Sequence, residues 1–462
     1  MPRARARPRP APRRARGLVR GVLASLPSRL PALRPAAVHG SPSPYDPIYA
    51  GRMSRADGPS DALALRAAVA DALAGRGPAV APAPLAFSGP LPEGTALVLQ
   101  TSGSTGLPRE VALSASALVA SARATHERLG GDAQWLLALP PSHVAGLQVI
   151  LRSVVAGTRL VTADLDAPFS PAGFAADAAR MDGDRRYVSL VPTQLHRLVH
   201  AQGTADGEAA LAALRSFDAI LLGGAAAPPA LLAAARAAGA RVVTTYGMTE
   251  TCGGCVYDGV PLAGVRVRVI ERSSGHVLPP GDAGVVEIGG PVLATGYLGD
   301  EALTAEVLRH DPDGSRWLRT NDLGSLSLDG TLTVHGRADD VVVTGGVNVA
   351  PAAVEAVLAD ALTGEDGIGE VCVVGVPDPE WGQAVVAVVT RGGALTRVVA
   401  PEGEPDAGLL SRARHAVATT LGPPAAPRYL LVVDDLPRRG PGKIDRAAVT
   451  ALAARTAPRT TH

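Results

Sequence analysis

Between residues 95 and 250, short apolar runs alternate with longer Ala/Leu-rich segments. The runs at 134–139, 159–162, 187–191, 219–222 and 241–245 are brief and rich in Leu, Val and Ile, which predicts strands. The segments at 114–129, 146–156, 192–200 and 229–238 predict helices between them. Such alternation implies an α/β protein whose mainly parallel sheets are covered by helices. Ligands of these sheets sit beyond the carboxyl ends of the strands. A polar loop at 101–109, the Gly223-Gly224 turn and the segment Tyr246-Gly247-Met248-Thr249-Glu250 all follow predicted strands, so three loops should converge on one edge.

After Tyr257 the pattern shortens to β runs at 265–271, 284–288 and 332–334 separated by Gly/Pro/Asp turns, which predicts a small β subdomain over about 258–335. Beyond Gly336 it changes again, to a helix at 351–361, strands at 371–376 and 384–390, a further helix, and a strand at 429–433. The expected organisation is a leader (1–40), a large N-terminal domain (41–335), a connecting hinge (336–340) and a small, mobile α+β C-terminal domain (341–462).

Composition refines this picture at a few points. The 47% hydrophobic fraction is inflated by alanine, so Ala-rich runs carry less helix information than usual. The formal charge of +1 conceals an asymmetry: ten of the 44 basic residues are arginines within residues 1–40, which hold no acid, leaving 34 basic against 43 acidic side chains elsewhere. A mildly acidic body argues against nucleic-acid binding by the folded part. The Arg-rich leader could touch nucleic acid or anionic lipid, but its seven prolines interrupt any targeting helix, and a disordered extension is expected. No apolar run is long enough for stable membrane insertion, and three cysteines give no disulfide framework, so the expected compartment is the cytoplasm. Cys252 and Cys255 form C-x-x-C without a second Cys/His pair at ligand spacing. A redox or zinc role there competes with that of small side chains in a pocket wall beside Gly253 and Gly254.

The loop Thr101-Ser102-Gly103-Ser104-Thr105-Gly106-Leu107-Pro108-Arg109 concentrates hydroxyls and glycines, closes on a cation and follows an apolar run. Glycines let a backbone approach an anion, and Ser and Thr add donors, so the loop reads as a phosphate grip, with an ordinary turn as the alternative. It is not a Walker A loop, because Gly106 is followed by Leu107 and Pro108.

Five motifs in order then resemble the adenylate-forming superfamily of acyl-CoA synthetases, peptide-synthetase adenylation domains and luciferases: 101–109, Tyr246 to Glu250, Thr320-Asn321-Asp322, the segment from Gly336 to Asp339, and Gly442-Lys443. The resemblance covers roughly residues 41–455 and implies an acid–thiol ligase that uses ATP and Mg²⁺, with CoA as co-substrate. It implies ATP binding by Thr101, Ser102, Gly103, Ser104, Thr105, Gly106, Arg109, Gly224, Ala225, Tyr246, Gly247, Met248 and Asp322, and metal binding by Glu250 and Thr105. Lys443, Glu250, Thr249, Arg337 and His143 would be catalytic. Asp339 would be the hinge about which the terminal domain rotates between adenylation and thioester formation, and Gly345 and Gly346 would line the CoA passage. The chemistry agrees: attack of a carboxylate on the α-phosphate concentrates charge on phosphoryl oxygens, and Lys443 supplies a mobile cation in a chain poor in lysine. Three residues depart from the family pattern: Arg109 for the usual Lys, Glu110 for Gly, and Asn321 for Gly. A carboxylate at 110 would repel triphosphate unless it points away.

The segments 139–149, 189–195 and 251–259 look like those of the o-succinylbenzoate-CoA ligases of menaquinone biosynthesis, and the short region before the phosphate loop fits their compact actinobacterial form. That resemblance implies a pocket with His143, Ser153, Thr193 and Gln194 as polar groups and Gly253 making room for a ring. His143 would serve there as gate, carboxylate partner or general base. The rival readings are another acyl- or aryl-CoA synthetase, a free-standing adenylation enzyme, or a silent nucleotide-binding protein. The oligomeric state is open, a homodimer included.

Overall fold

The computed structural model describes residues 48–49, 59–101, 109–201, 203–362, 368–391, 397–399, 407–439 and 443–456. Residues 46–462 form one compact unit, and the predicted leader lies outside the described residues.

The predicted parallel sheet is present. Strands Val242–Met248, Ala219–Leu222, Arg186–Leu190, Gln134–Leu137 and Val161–Thr162 lie side by side in parallel, and Gly253–Tyr257 and Val260–Pro261 extend the edge antiparallel. Side chains alternate across the pleat. Trp135, Leu137, Tyr187 and Leu221 join Leu118, Ala122, Leu147 and Ile150 from helices Ala115–Leu129 and Val144–Ala156. Leu136, Val188, Ile220 and Leu222 face the other way, onto helices Pro171–Ala179, Pro192–His200, Ala205–Arg215 and Pro229–Ala237. Burial on both faces accounts for strands that read as continuous apolar runs. Local signals set the helix ends: the Ser114 hydroxyl accepts the Ala117 N–H at 3.2 Å, and Gly130 takes φ +93° past the last turn.

A second sheet contains strands Ile48–Tyr49, Ala79–Val80, Thr95–Thr101, Arg109–Ser114 and Gly296–Tyr297. Its strand Arg109–Ser114 was not predicted. It pairs antiparallel with Thr95–Thr101, so the two strands that flank the polar loop in sequence are neighbours in one sheet. The run Val111-Ala112-Leu113 abuts the Ala-rich helix that follows, and the two patterns merge in the sequence. The same alanine bias hid helices Pro59–Leu73, Pro171–Ala179 and Ala205–Arg215.

The β subdomain is antiparallel and is built around the long strand Arg316–Leu326, which pairs with Gly284–Gly289, Leu308–His310 and Leu332–Arg337. The C-terminal part has a sheet centred on Gly382–Arg391, paired with Ile368–Asp378 and Tyr429–Val433. Helices Pro351–Leu362 and Ala407–Leu421 contribute Val354, Leu358, Leu409 and Val417 to one core, and helix Arg446–Thr456 contributes Val449 and Ala453 to the other. A short hairpin, Arg438–Arg439 with Lys443–Ile444, precedes that last helix.

Candidate active site

The strand expected to stop at 245 continues to Met248, which carries Tyr246 to the sheet edge. Its hydroxyl donates to Asp322 Oδ2 at 2.7 Å. Burial raises the pKa of Asp322, an effect that the Tyr246 bond and the nearby charges of Arg337 and Lys443 oppose. Tyr246 and Asp322 thus form one unit, in which a ring face and a half-buried carboxylate stand together. A Cβ at Gly247 would come within 2.2 Å of the Gly253 carbonyl, so only glycine lets strand Val242–Met248 touch its antiparallel neighbour here. The Met248 N–H donates to Thr251 Oγ1 at 2.9 Å, and the Thr249 carbonyl accepts the Cys252 N–H at 3.0 Å, which tightens the turn that presents Glu250. Gly224 and Ala225 are exposed just past strand Ala219–Leu222.

Glu250 is held from a strand that lies elsewhere in the sequence. Tyr297 Oη donates to Glu250 Oε1 at 2.8 Å, and the Ala294 N–H donates to the Glu250 carbonyl at 2.8 Å. The guanidinium carbon of Arg109 lies 6.0 Å from the centroid of the Tyr297 ring, at the outer reach of a cation–π contact. Among the described residues no group of three or more His, Cys, Asp or Glu could hold a metal. A lone carboxylate suits Mg²⁺, which keeps water and takes phosphate oxygens as its other ligands. Thr101 is in register with Arg109 at the mouth of the hairpin. Ser102, Gly103, Ser104, Thr105 and Gly106 lie outside the described residues.

The departures at 110 and 321 have physical explanations. Glu110 is 7% exposed, and its carboxylate accepts the N–H groups of Ala86 at 2.5 Å and Phe87 at 3.0 Å. It therefore serves as a clamp on a neighbouring segment. Asn321 is exposed, and its carbonyl accepts the Ala338 N–H at 2.8 Å.

The predicted pocket residues divide. His143 is exposed and precedes helix Val144–Ala156; its Nδ1 lies 3.1 Å from Ser142 Oγ, and partial desolvation lowers its pKa. Gly253 takes φ +92° against Gln148 and Val144 of that helix, and Thr193 is half-buried. Ser153 is fully buried, donates to the Ile150 carbonyl at 2.7 Å and accepts Arg66 Nε at 3.1 Å, so it joins two helices instead of lining a pocket. Gln194 is likewise committed to backbone: its Oε1 accepts the Val191 N–H at 3.1 Å and its Nε2 donates to the Ala138 carbonyl at 3.0 Å. Cys252 and Cys255 are buried, and burial raises both thiol pKa values, that of Cys255 to about 12.

Around the predicted hinge, Arg337 is the register partner of Asp322 and makes a forked pair with Asp339, Nε to Oδ1 at 3.0 Å and Nη2 to Oδ2 at 2.7 Å. Lys443 is exposed on the terminal hairpin, opposite Arg439. Tyr246 and Arg337 thus meet at Asp322 from strands far apart in sequence, Arg337 also holds Asp339, and the charge of Lys443 on the terminal hairpin acts on the same carboxylate. Gly345, at φ +54° in the tip of the hairpin Val342–Thr344 with Val347–Val349, has room for no Cβ: Trp381 Cε3 would lie 2.6 Å away. Gly346 is exposed beside it.

Sequence reasoning missed Tyr297 and Arg152. Arg152 is 3% exposed, and among the described residues it has no carboxylate partner. Its Nη2 donates to Tyr257 Oη at 3.1 Å, its guanidinium lies over Trp135, and its Nε has no hydrogen-bond partner. Burial lowers its pKa. The available signal was Gln148 and Arg152, four residues apart in a mostly apolar helix.

Residues 49–298 match the AMP-binding enzyme family, and residues 357–443 match the AMP-binding enzyme C-terminal domain. The chain belongs to the AMP-binding enzyme family. It is 44% identical over 357 residues to a probable 2-succinylbenzoate–CoA ligase of Mycobacterium tuberculosis, covering 77% of this chain and 83% of that one. Among solved structures it is similar to o-succinylbenzoate CoA synthetase from Bacillus subtilis in complex with the acyl-adenylate intermediate, with TM-score 0.63 and 29% identity over 77% of this chain and 69% of that one. It is also similar to the same enzyme in complex with ATP and magnesium ion, with TM-score 0.62 and 28% identity over 76% and 69%.

Proposed function

We propose that the protein is an AMP-forming acyl-CoA ligase that converts 2-succinylbenzoate, ATP and CoA to 2-succinylbenzoyl-CoA, AMP and diphosphate, a step of menaquinone biosynthesis. The observation that carries the ligase reading is the meeting of Tyr246 and Arg337 at the Asp322 carboxylate, on which the charge of Lys443 from the C-terminal part also acts. An oxygen of the succinyl carboxylate attacks the α-phosphorus and diphosphate leaves. The CoA sulfur then attacks the acyl carbonyl and AMP leaves. Asp322 accepts the ribose hydroxyls, Tyr246 orients it and lies against the base, and Lys443 and Arg337 stabilise phosphoryl charge. Glu250, oriented by Tyr297, would hold Mg²⁺, which draws charge from the phosphates when bound. Asp339 is the hinge that withdraws Lys443 for the second step and brings Gly345 and Gly346 to the pantetheine arm. The domain boundaries follow from this: 41–335 on one side of 336–340, and 341–462 on the other.

A diacid substrate is supported by the row Val144, Gln148, Arg152. Val144 and Gln148 stand against Gly253, and Arg152 meets Tyr257 at the other end of strand Gly253–Tyr257. The row leads from the rim at His143 to a buried cation that lacks an anion, the partner a ring carboxylate would supply. Comparing 2-succinylbenzoate with 4-oxo-4-phenylbutanoate, which lacks that carboxylate, tests the reading. The diacid should be strongly preferred, and Arg152→Met should remove the preference; equal use of both acids by the unaltered enzyme would refute it. None of the described helices is long and apolar enough to cross a membrane. A cytoplasmic enzyme, monomeric or homodimeric, fits its co-substrates ATP and CoA.

A further inference from the structure

We infer that Arg446 is a positioning residue for Lys443, bracing the lysine-bearing hairpin against the C-terminal side of the hinge. Its Nε lies 3.1 Å from Asp340 Oδ2, its Nη1 lies 2.7 Å from Glu355 Oε1, and Nη1 also donates to the Val373 carbonyl. One guanidinium thus joins the residue after Asp339, helix Pro351–Leu362 and strand Ile368–Asp378 to the start of the last helix.

Its position argues that this is more than helix packing. Arg446 opens helix Arg446–Thr456, where the backbone dipole presents its positive end and a cation is least favoured. The helix does not need it as a cap, because Asp445 Oδ1 accepts the Ala448 N–H at 3.1 Å. The two carboxylates account for the charge.

Lys443 lies three residues upstream, and its hairpin is closed by Arg439 Nε donating to Asp445 Oδ2 at 2.7 Å. Lys443 is therefore fixed to Asp445, Asp445 is bonded to Arg446, and Arg446 is fixed to Asp340. A rotation at Asp339 then reaches Lys443 without slack. Glu355 also accepts the Val373 N–H at 2.7 Å, so part of this packing survives loss of the arginine.

The inference rests on the reading that Lys443 serves adenylation, and the test separates the two. In the full-length protein, ATP–pyrophosphate exchange driven by 2-succinylbenzoate reports adenylation, and thioester formation from supplied acyl-adenylate reports the second step. Arg446→Met and Asp340→Asn should each slow exchange roughly ten- to a hundred-fold, the penalty of displacing a catalytic group by about 1 Å, with the KM for ATP unchanged. In Arg446→Met thioester formation should stay within about two-fold, and Arg446→Lys, which keeps the charge, should recover part of the exchange. Unchanged exchange in both variants, or equal loss of both half-reactions, would overturn the brace. Lys443→Ala with normal exchange would instead overturn the underlying reading of Lys443.

Discussion

Replacing Tyr297 by Phe removes one hydroxyl and keeps the ring beneath Arg109, so it isolates the bond to Glu250. A hydrogen bond to a charged group contributes about 1.5–3 kcal/mol, and the partly exposed Glu250 calls for the lower end. About 1.5 kcal/mol corresponds to roughly a ten-fold change in an equilibrium or rate constant. Because the freed carboxylate would swing out of line for the metal, the change should appear as a ten-fold rise in the Mg²⁺ concentration that half-saturates pyrophosphate exchange. Thioester formation from supplied acyl-adenylate should be unaffected. Burial and the Glu250 charge push the Tyr297 pKa up, so the hydroxyl stays a donor across the working pH range and the effect should not titrate. Paramagnetic resonance of Mn²⁺ with ATP should show the same weakening without turnover. An unchanged metal requirement in Tyr297→Phe would refute the argument that this hydroxyl orients Glu250.

Three further predictions concern Glu110, Asp322 and His143. Glu110→Ala removes the partner of the Ala86 and Phe87 N–H groups, which stand partly open to water, a loss of about 1–3 kcal/mol that should lower the melting temperature while the KM for ATP stays constant; a raised KM without destabilisation would mean the carboxylate acts on the nucleotide. The folded-state pKa of Asp322 lies above its ordinary 3.8, so the folded state holds the proton longer and stability falls as pH rises through that interval. Asp322→Asn should remove this penalty at neutral pH and melt no earlier than the parent protein, yet bind ATP more weakly; a clear drop in melting temperature would contradict the sign. The lowered pKa of His143 places any acid limb it imposes on exchange below pH 6.5, and that limb should vanish in His143→Gln; an inflection above 6.5 that depends on His143 would contradict this.

The parallel sheet was legible because its strands are buried on both faces and read as unbroken apolar runs between helices. The strand Arg109–Ser114 was not, since its pattern merges with an Ala-rich helix in a chain where alanine is common. At the site, residues in contiguous motifs could be found by order and spacing. Tyr297 could not, because its value comes from reaching Glu250, 47 positions earlier, through a sheet pairing that no local pattern announces. Ser153 and Gln194 misled for the opposite reason: polar side chains near a predicted pocket segment were spent on Arg66 and on backbone groups, partners that local spacing does not reveal. Glu110 shows the same limit, since its bonds to the Ala86 and Phe87 N–H groups join segments that local spacing does not connect.

The most direct test of the account is acid-dependent ATP–pyrophosphate exchange by the purified full-length protein, followed by addition of CoA. Exchange should be driven far better by 2-succinylbenzoate than by benzoate, fatty acids or 4-oxo-4-phenylbutanoate, and CoA should then yield AMP and 2-succinylbenzoyl-CoA in equal amounts. Exchange driven best by another acid, or ATP binding with no exchange, would contradict it.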